Sequence, residues 1–401
     1  MPQAVILSKA DARRLLVSHH FTPTDVPGVF DRLGGVQFDP LKPVGCNHDL
    51  VLQARVPGYR VGDWEKIAYQ DRLAYDAWDK QASLVRMKDW PQRRIYHQWH
   101  LRHWSELFER YPEAVETILD ELRERGPLPS TAFNHQIHKP EWQGSWYGPR
   151  LTKHVLRALW HTGKVVTHHR VNGHHVYDLA ERVIPPEFYL AEPLSEREST
   201  RWLILLRHQA VGLLRPGANQ ELWSLGVSAA ERQALLGELV DEGCLLPVEI
   251  EGRRYHTAPE LLALLDVPPL RPQVRFLAPL DQLLWDRKAA LHLFDFDYVW
   301  EVYKPEQDRK WCYYALPVMY GERFVARVDS RLEGSTWQIK GWWWEEGVEP
   351  DGALWKGLKQ AVAAFMRYLL ADEVKVAGGV DRPVREVLKT AGTAVGLETG
   401  G

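Results

Sequence analysis

The sequence predicts an α+β protein in which helical units, each closed by a β-hairpin, follow one another and lead into a small β-barrel or sheet domain. Three observations predict it. Ser195 to Glu198 and Ser228 to Glu231 have the spacing of a capping box, in which serine and glutamate satisfy free N–H groups at a helix start. Asn172-Gly173 and Glu251-Gly252 each join two runs of strand-forming residues, and Asn-Gly is the strongest short hairpin signal. Beyond about residue 270, aromatic and β-branched runs between polar turns replace helical periodicity.

The first unit holds expected helices near 9 to 20, 24 to 33, 46 to 55 and 62 to 70, then a hairpin around 72 to 86. In the second, a helix from Pro112 to Arg125 presents Val115, Ile118, Leu119 and Leu122 on one face and stops at Gly126. A short helix near 130 to 137 and another opening at Pro149 precede strands at 164 to 171 and 174 to 177. The third unit has helices near 196 to 214 and 229 to 242 and strands at 245 to 250 and 253 to 257. Three helices plus a hairpin is the winged-helix arrangement, a helix-turn-helix with a wing. The expected domains are 1 to 90, 91 to 190 with a connecting helix, 191 to 269, and 270 to 401. In the last, strands are read at Val299–Tyr303, Trp311–Pro317, Phe324–Asp329 and Thr336–Trp344, followed by a helix near 351 to 370.

A chain of 401 residues exceeds the size at which one hydrophobic core keeps growing, so several domains are expected. No basic segment followed by an apolar run opens the sequence, and no stretch reaches membrane-spanning length. Cys46, Cys244 and Cys312 are widely spaced, which argues for a reducing cytosol and against a disulfide framework or cysteine zinc site. The expected location is therefore cytoplasmic. A net charge of −3 announces no polyanion partner; the local distribution does.

In the helix opening at Pro149, Leu151, Val155 and Leu159 form one stripe, and Arg150, Lys153, His154, Arg157 and His161 form another. Between Trp142 and Tyr177 there are five Lys or Arg, six His and no Asp or Glu. A basic helix followed by a basic strand pair carrying Lys164, His169 and Arg170 matches the parts of a winged helix that meet groove and phosphates, although a solvated face would look similar. Arg93 and Arg94 belong to a second basic stretch, Lys80 to Trp104, interleaved with Trp90, Tyr96, Trp99 and Trp104. Adjacent histidines on a strand point to opposite faces, so the pairs at 168–169 and 174–175 supply two metal ligands with no third. No metal is expected.

Gln37-Phe38-Asp39 follows Gly34-Gly35 in a short segment with strand character. Alternation along a strand would point the amide and the carboxylate the same way, where they could hold one water, with Phe38 anchoring the other face. Asp39 also suits a turn or capping role before Pro40. Asn47 and His48 suit either a pocket wall or the start of the following helix.

These residues carry a resemblance. Val36-Gln37-Phe38-Asp39, Asn47-His48-Asp49-Leu50-Val51-Leu52-Gln53-Ala54-Arg55, Tyr75-Asp76-Ala77-Trp78-Asp79-Lys80, Leu283-Leu284-Trp285-Asp286-Arg287 and Phe296-Asp297-Tyr298 resemble, in order, the YcaQ/AlkZ family of DNA glycosylases. The resemblance implies tandem winged helices in a C shape with a C-terminal β-barrel, and release of bulky N7-alkylpurines, including the unhooking of interstrand crosslinks. The family motif is glutamine, apolar residue, then aspartate or glutamine; the aspartate here is the form of the YcaQ branch. It makes Gln37 and Asp39 the expected catalytic pair, and Asn47, His48 and Lys80 pocket candidates. It also implies a monofunctional hydrolase that needs no cofactor and works as a nucleoid-associated monomer on alkylated or crosslinked double-stranded DNA. Lys80 would fit a Schiff-base lyase, but phosphate contact is preferred. The rival reading is a winged-helix transcriptional regulator without catalysis.

Overall fold

The computed structural model describes residues 3–134, 151–224 and 226–398. The chain divides into two compact units, one of residues 1–64 and 204–401 and one of residues 65–203. Four consecutive domains were expected. One reason for the difference is a shared core: Leu15, Leu16 and Phe21 near the N-terminus pack with Ile250, Tyr255, Leu284, Phe294 and Phe324.

The first unit opens with β1 (Val5–Ile6), a helix at Lys9–Phe21 started by a Ser8–Asp11 capping box, a helix at Val26–Leu33, β2 (Gly35–Gln37) and a helix at Asn47–Gln53. In the second unit, β3 (Ala74–Trp78) and β4 (Ala82–Arg86) form the expected hairpin. The helices Trp90–Arg110 and Pro112–Arg125 follow, then β5 (Leu128–Pro129), the helix Leu151–His161, β6 (Val165–Val171) and β7 (His174–Leu179), with β7 central in the sheet. Asn172 and Gly173 both take positive φ, +50° and +79°, as the tight turn between β6 and β7 requires. Residues 130–134 form turns rather than the start of the helix read at 130 to 137, whose remainder lies outside the described residues.

The Ser195–Glu198 box closes as read, with the Glu198 N–H donating to Ser195 Oγ at 3.2 Å at the start of the helix Glu196–Val211. Back in the first unit, Ser228 caps the helix Ala229–Asp241, and β8 (Leu246–Ile250) pairs with β9 (Arg253–Thr257). β1 adds to β8 in parallel, with Val5 opposite Val248, a long-range pairing no local pattern announces. The C-terminal sheet runs β10 (Val274–Phe276), β11 (Ala315–Tyr320), β12 (Arg323–Glu333), β13 (Thr336–Trp344) and β14 (Glu373–Val376) in that spatial order. It curls as an open half-barrel rather than a closed barrel. The helix Gly352–Leu369 packs on it through Phe365, whose ring centroid lies 4.8 Å from that of Phe276 and 5.0 Å from that of Trp337.

The run Val299–Tyr303, read as a strand, forms a 3-10 turn at Glu301–Tyr303. The buried Glu301 carboxylate accepts the N–H groups of Lys310 and Trp311 at 3.0 and 2.8 Å, tying the segment into a loop and overriding its β propensity. Among the described residues, no helix is long and apolar enough to cross a membrane.

Candidate active site

Gln37 is the last residue of β2. The preceding helix ends at Gly34, whose φ of +70° is left-handed; a Cβ there would lie 2.4 Å from Leu206 Cδ1, so glycine serves both the turn and the close approach. Because the strand stops at Gln37, strand alternation does not govern Asp39, and the shared face expected for the two residues is not a property of β2.

Two side chains instead brace β2 through its carbonyls. Asn47 Nδ2 donates to Gln37 O at 2.9 Å, and Gln282 Nε2 donates to Gly35 O at 2.7 Å. Asn47 Oδ1 also accepts the Leu280 N–H at 3.2 Å, so one fully buried amide joins the motif to the segment 279–284. That segment is held by a buried bidentate ion pair, Arg55 to Asp281 at 2.7 and 2.8 Å, and Asp281 Oδ1 accepts the Leu283 N–H at 3.0 Å. Asn47, read as a pocket wall or cap, is therefore a backbone brace.

Gln37 is 6% exposed, and its Oε1 is buried with no hydrogen-bond partner among the described residues. Asp39 is half-buried; Oδ1 accepts the Leu41 N–H at 2.9 Å, a turn contact that leaves Oδ2 for a water. Burial raises the Asp39 pKa, and the Leu41 hydrogen bond works against it. Phe38 stacks on His48, with centroids 4.2 Å apart and planes 10° from parallel, and Trp64 meets the two rings edge-on at 5.9 and 5.1 Å. His48 is 2% exposed, so its structural work is to fix Phe38 between the two polar residues. Lys80 belongs to the second unit, half-buried in the β3–β4 turn.

The loop after Asp39 is pinned to the C-terminal sheet: the Leu332 N–H donates to Pro43 O at 2.7 Å. Gly45, at φ +120°, lies so close to Tyr368 that a Cβ would fall 2.3 Å from its hydroxyl. Gln282 and Tyr368 are contributions that sequence reading missed. Only Gln282 had a local signal, since it immediately precedes the Leu283–Arg287 motif. Cys46, His48 and Asp49 bring ligand-type atoms within 4.8 Å of one another. Asp49 already accepts the Tyr59 hydroxyl at 2.6 Å and the Gly62 N–H at 3.2 Å, and burial pushes the Cys46 thiol up to about 11. Asp49 Oδ1 is thus committed to these two hydrogen bonds, and the set carries no metal assignment.

In the second unit, the helix Leu151–His161 buries Leu151, Val155, Leu156 and Leu159 and exposes Lys153 and Arg157, four residues apart on one face. Lys164 is exposed at the foot of β6, and His154 and His169 are half-buried. Arg150 lies outside the described residues. Four residues depart from the expected basic surface. His161 turns inward, accepts a hydrogen bond from Trp104 Nε1 at 3.2 Å, and is lowered by burial to about 3, so it is neutral. Arg170 is committed to the buried Asp76, with Nε donating at 3.0 Å, and to Gly173 O at 2.7 Å. Arg93, 1% exposed, pairs with Asp79 at 3.0 Å. Arg94 donates to the carbonyls of Ala191 and Tyr189 and ties down the end of the short helix Pro186–Tyr189. Each guanidinium satisfies a group inside the unit, so none of the three is a free phosphate ligand; basic residue type alone could not reveal the partner.

A family model described as DNA glycosylase AlkZ-like matches residues 30–368. Among solved structures, the DNA glycosylase AlkZ of Streptomyces sahachiroi shares the fold with a TM-score of 0.65 at 16% identity, over 94% of this chain and 100% of that one. The matched span takes in the braced Gln37 and Asp39 as well as most of the curled sheet, and a family of DNA glycosylases leaves no place for the non-catalytic regulator. The chain belongs to the AlkZ-like family of DNA glycosylases.

Proposed function

We propose that the protein hydrolyses the N-glycosidic bond of N7-alkylated guanine in double-stranded DNA, including guanines joined in interstrand crosslinks, with Asp39 and Gln37 as its catalytic pair. The observation that carries the reading is the Gln37 Oε1, buried with no partner among the described residues on a backbone that Asn47 and Gln282 hold in place. A buried acceptor left unpaired costs about 1–3 kcal/mol, a cost that a bound water or substrate removes.

N7-alkylguanine already bears positive charge on its imidazole ring, so the base leaves as a neutral molecule once the C1′–N9 electron pair moves into it. What remains is to stabilise an oxocarbenium-like sugar and to deliver water. Ionised Asp39 does the first by charge. It does the second by accepting the water proton as the new C1′–O bond forms, with the Gln37 amide orienting that water. The proton passes from Asp39 to solvent. Lys153, Arg157 and Lys164 are the proposed phosphate contacts, beside His154 and His169, and the hairpins of the helical units are read as wings. The extension to crosslinks and the independence from metal rest on the resemblance of the Gln-x-Asp motif.

The test is single-turnover base release from a duplex containing N7-methylguanine beside a nitrogen-mustard crosslinked duplex. Asp39→Asn should lose about 10²- to 10⁴-fold in rate on both, the usual worth of a positioned base, with DNA affinity nearly unchanged. Wild-type release by Asp39→Asn would remove Asp39 from the mechanism. Release of the methylated base without unhooking would confine the substrate to monoadducts.

A further inference from the structure

Tyr314 stands just before β11, 2% exposed, with its ring edge-on to Trp300 at 6.4 Å between centroids. With Pro43 of the loop that follows Asp39, it lines a cleft of about 650 Å³ whose wall carries Arg309, Arg331 and Lys340. Its hydroxyl is buried and has no hydrogen-bond partner among the described residues. Buried tyrosine hydroxyls ordinarily find one, so this group costs the fold and returns nothing to it. Burial above all, and then the charges of Tyr298, Asp39 and Cys46, hold its pKa well above the usual tyrosine value. The group is therefore a proton donor throughout the working range, on a cleft that the loop after Asp39 helps to line through Pro43. The same loop is held in reach by the Leu332–Pro43 hydrogen bond and by the Gly45 turn against Tyr368.

We propose that Tyr314 is a positioning residue for base release: in the DNA-bound enzyme its hydroxyl donates a hydrogen bond to the Asp39 carboxylate and aims it at the attacking water. This rests on Asp39 being the base. It gives the C-terminal sheet a part in catalysis, since the residue just before β11 supplies the donor to a motif that lies far away in sequence. A hydrogen bond to the ionised carboxylate favours ionisation, so losing it extends the protonated range of Asp39 upward in pH.

The experiment compares wild type, Tyr314→Phe and Asp39→Asn in single-turnover release of N7-methylguanine across pH, with DNA affinity and melting temperature measured on the same samples. Tyr314→Phe should release base about 10- to 100-fold more slowly at neutral pH, the worth of one hydrogen bond to a charged group. Its acidic limb should move to higher pH, while affinity stays the same and the melting temperature is unchanged or raised, because the hydroxyl bonds to none of the described residues in the free protein. A wild-type rate and limb in Tyr314→Phe, with Asp39→Asn inactive, would overturn this inference alone. Activity in Asp39→Asn would overturn the reading beneath it. A slower Tyr314→Phe with a lowered melting temperature and an unmoved limb would make Tyr314 merely structural and also refute the proposal.

Discussion

Removing the Asn47 side chain should damage both stability and base release, because one amide serves two buried backbone groups. In Asn47→Ala the Gln37 carbonyl and the Leu280 N–H, bonded at 2.9 and 3.2 Å, both lose their partner. A buried backbone group left unsatisfied costs about 1–3 kcal/mol, so the two together cost about 2–6 kcal/mol. That is a large share of the roughly 5–15 kcal/mol by which folded proteins exceed their unfolded chains. For the chemistry, the relevant loss is at Gln37, whose backbone would no longer be fixed at the strand end; a misplacement of about 1 Å at a reacting centre can cost about 10²-fold. Asn47→Asp is the sharper test of the contact to Gln37. It keeps an acceptor for Leu280 but buries a carboxylate against the Gln37 carbonyl, so it should be destabilised at least as much as Asn47→Ala and release base slowly. Denaturant midpoints and single-turnover rates on the N7-methylguanine duplex read both quantities. Wild-type midpoint and rate in Asn47→Ala would refute the brace.

Four further outcomes are expected. Lys153→Ala and Arg157→Ala should each lessen the slope of log affinity against log salt by about 0.9, whereas Arg170→Ala should leave the slope alone and lower stability by about 3–5 kcal/mol by stranding the buried Asp76; unchanged slopes in both lysine and arginine variants would move the phosphate track elsewhere. Burial raises the Asp39 pKa, so its carboxylate form is lost as pH falls through a value above that of an ordinary aspartate; with Asp39 as the proposed base, the acidic limb of the rate profile should lie there and vanish in Asp39→Asn. The same sign governs stability: the folded state holds this proton more tightly than the unfolded chain, so ionising Asp39 costs stability as pH rises, and Asp39→Asn should melt no lower than wild type at neutral pH.

Much of the local architecture was legible because its causes are local. Serine caps, Asn172-Gly173 and the leucine stripe of the helix Leu151–His161 act over a few residues, and each produced the element it announced. The exposed positions of Lys153 and Arg157 followed from that stripe. Arg93, Arg170 and His161 did not follow the same logic, since their placement depends on Asp79, Asp76 and Trp104, which the fold brings up from elsewhere in the chain.

By itself the sequence determined the α+β class, the order of helices and hairpins, and the identity of Gln37 and Asp39 as the residues to watch. Tertiary structure alone decided what surrounds them. Gln282 braces β2 across more than two hundred residues, the Arg55–Asp281 pair holds the segment that carries Gln282 across a similar span, and β1 pairs with β8 across a comparable one. Hydrogen bonds and burial are set by distance in space, and a strand end such as Gln37 becomes a site only when remote segments close around it.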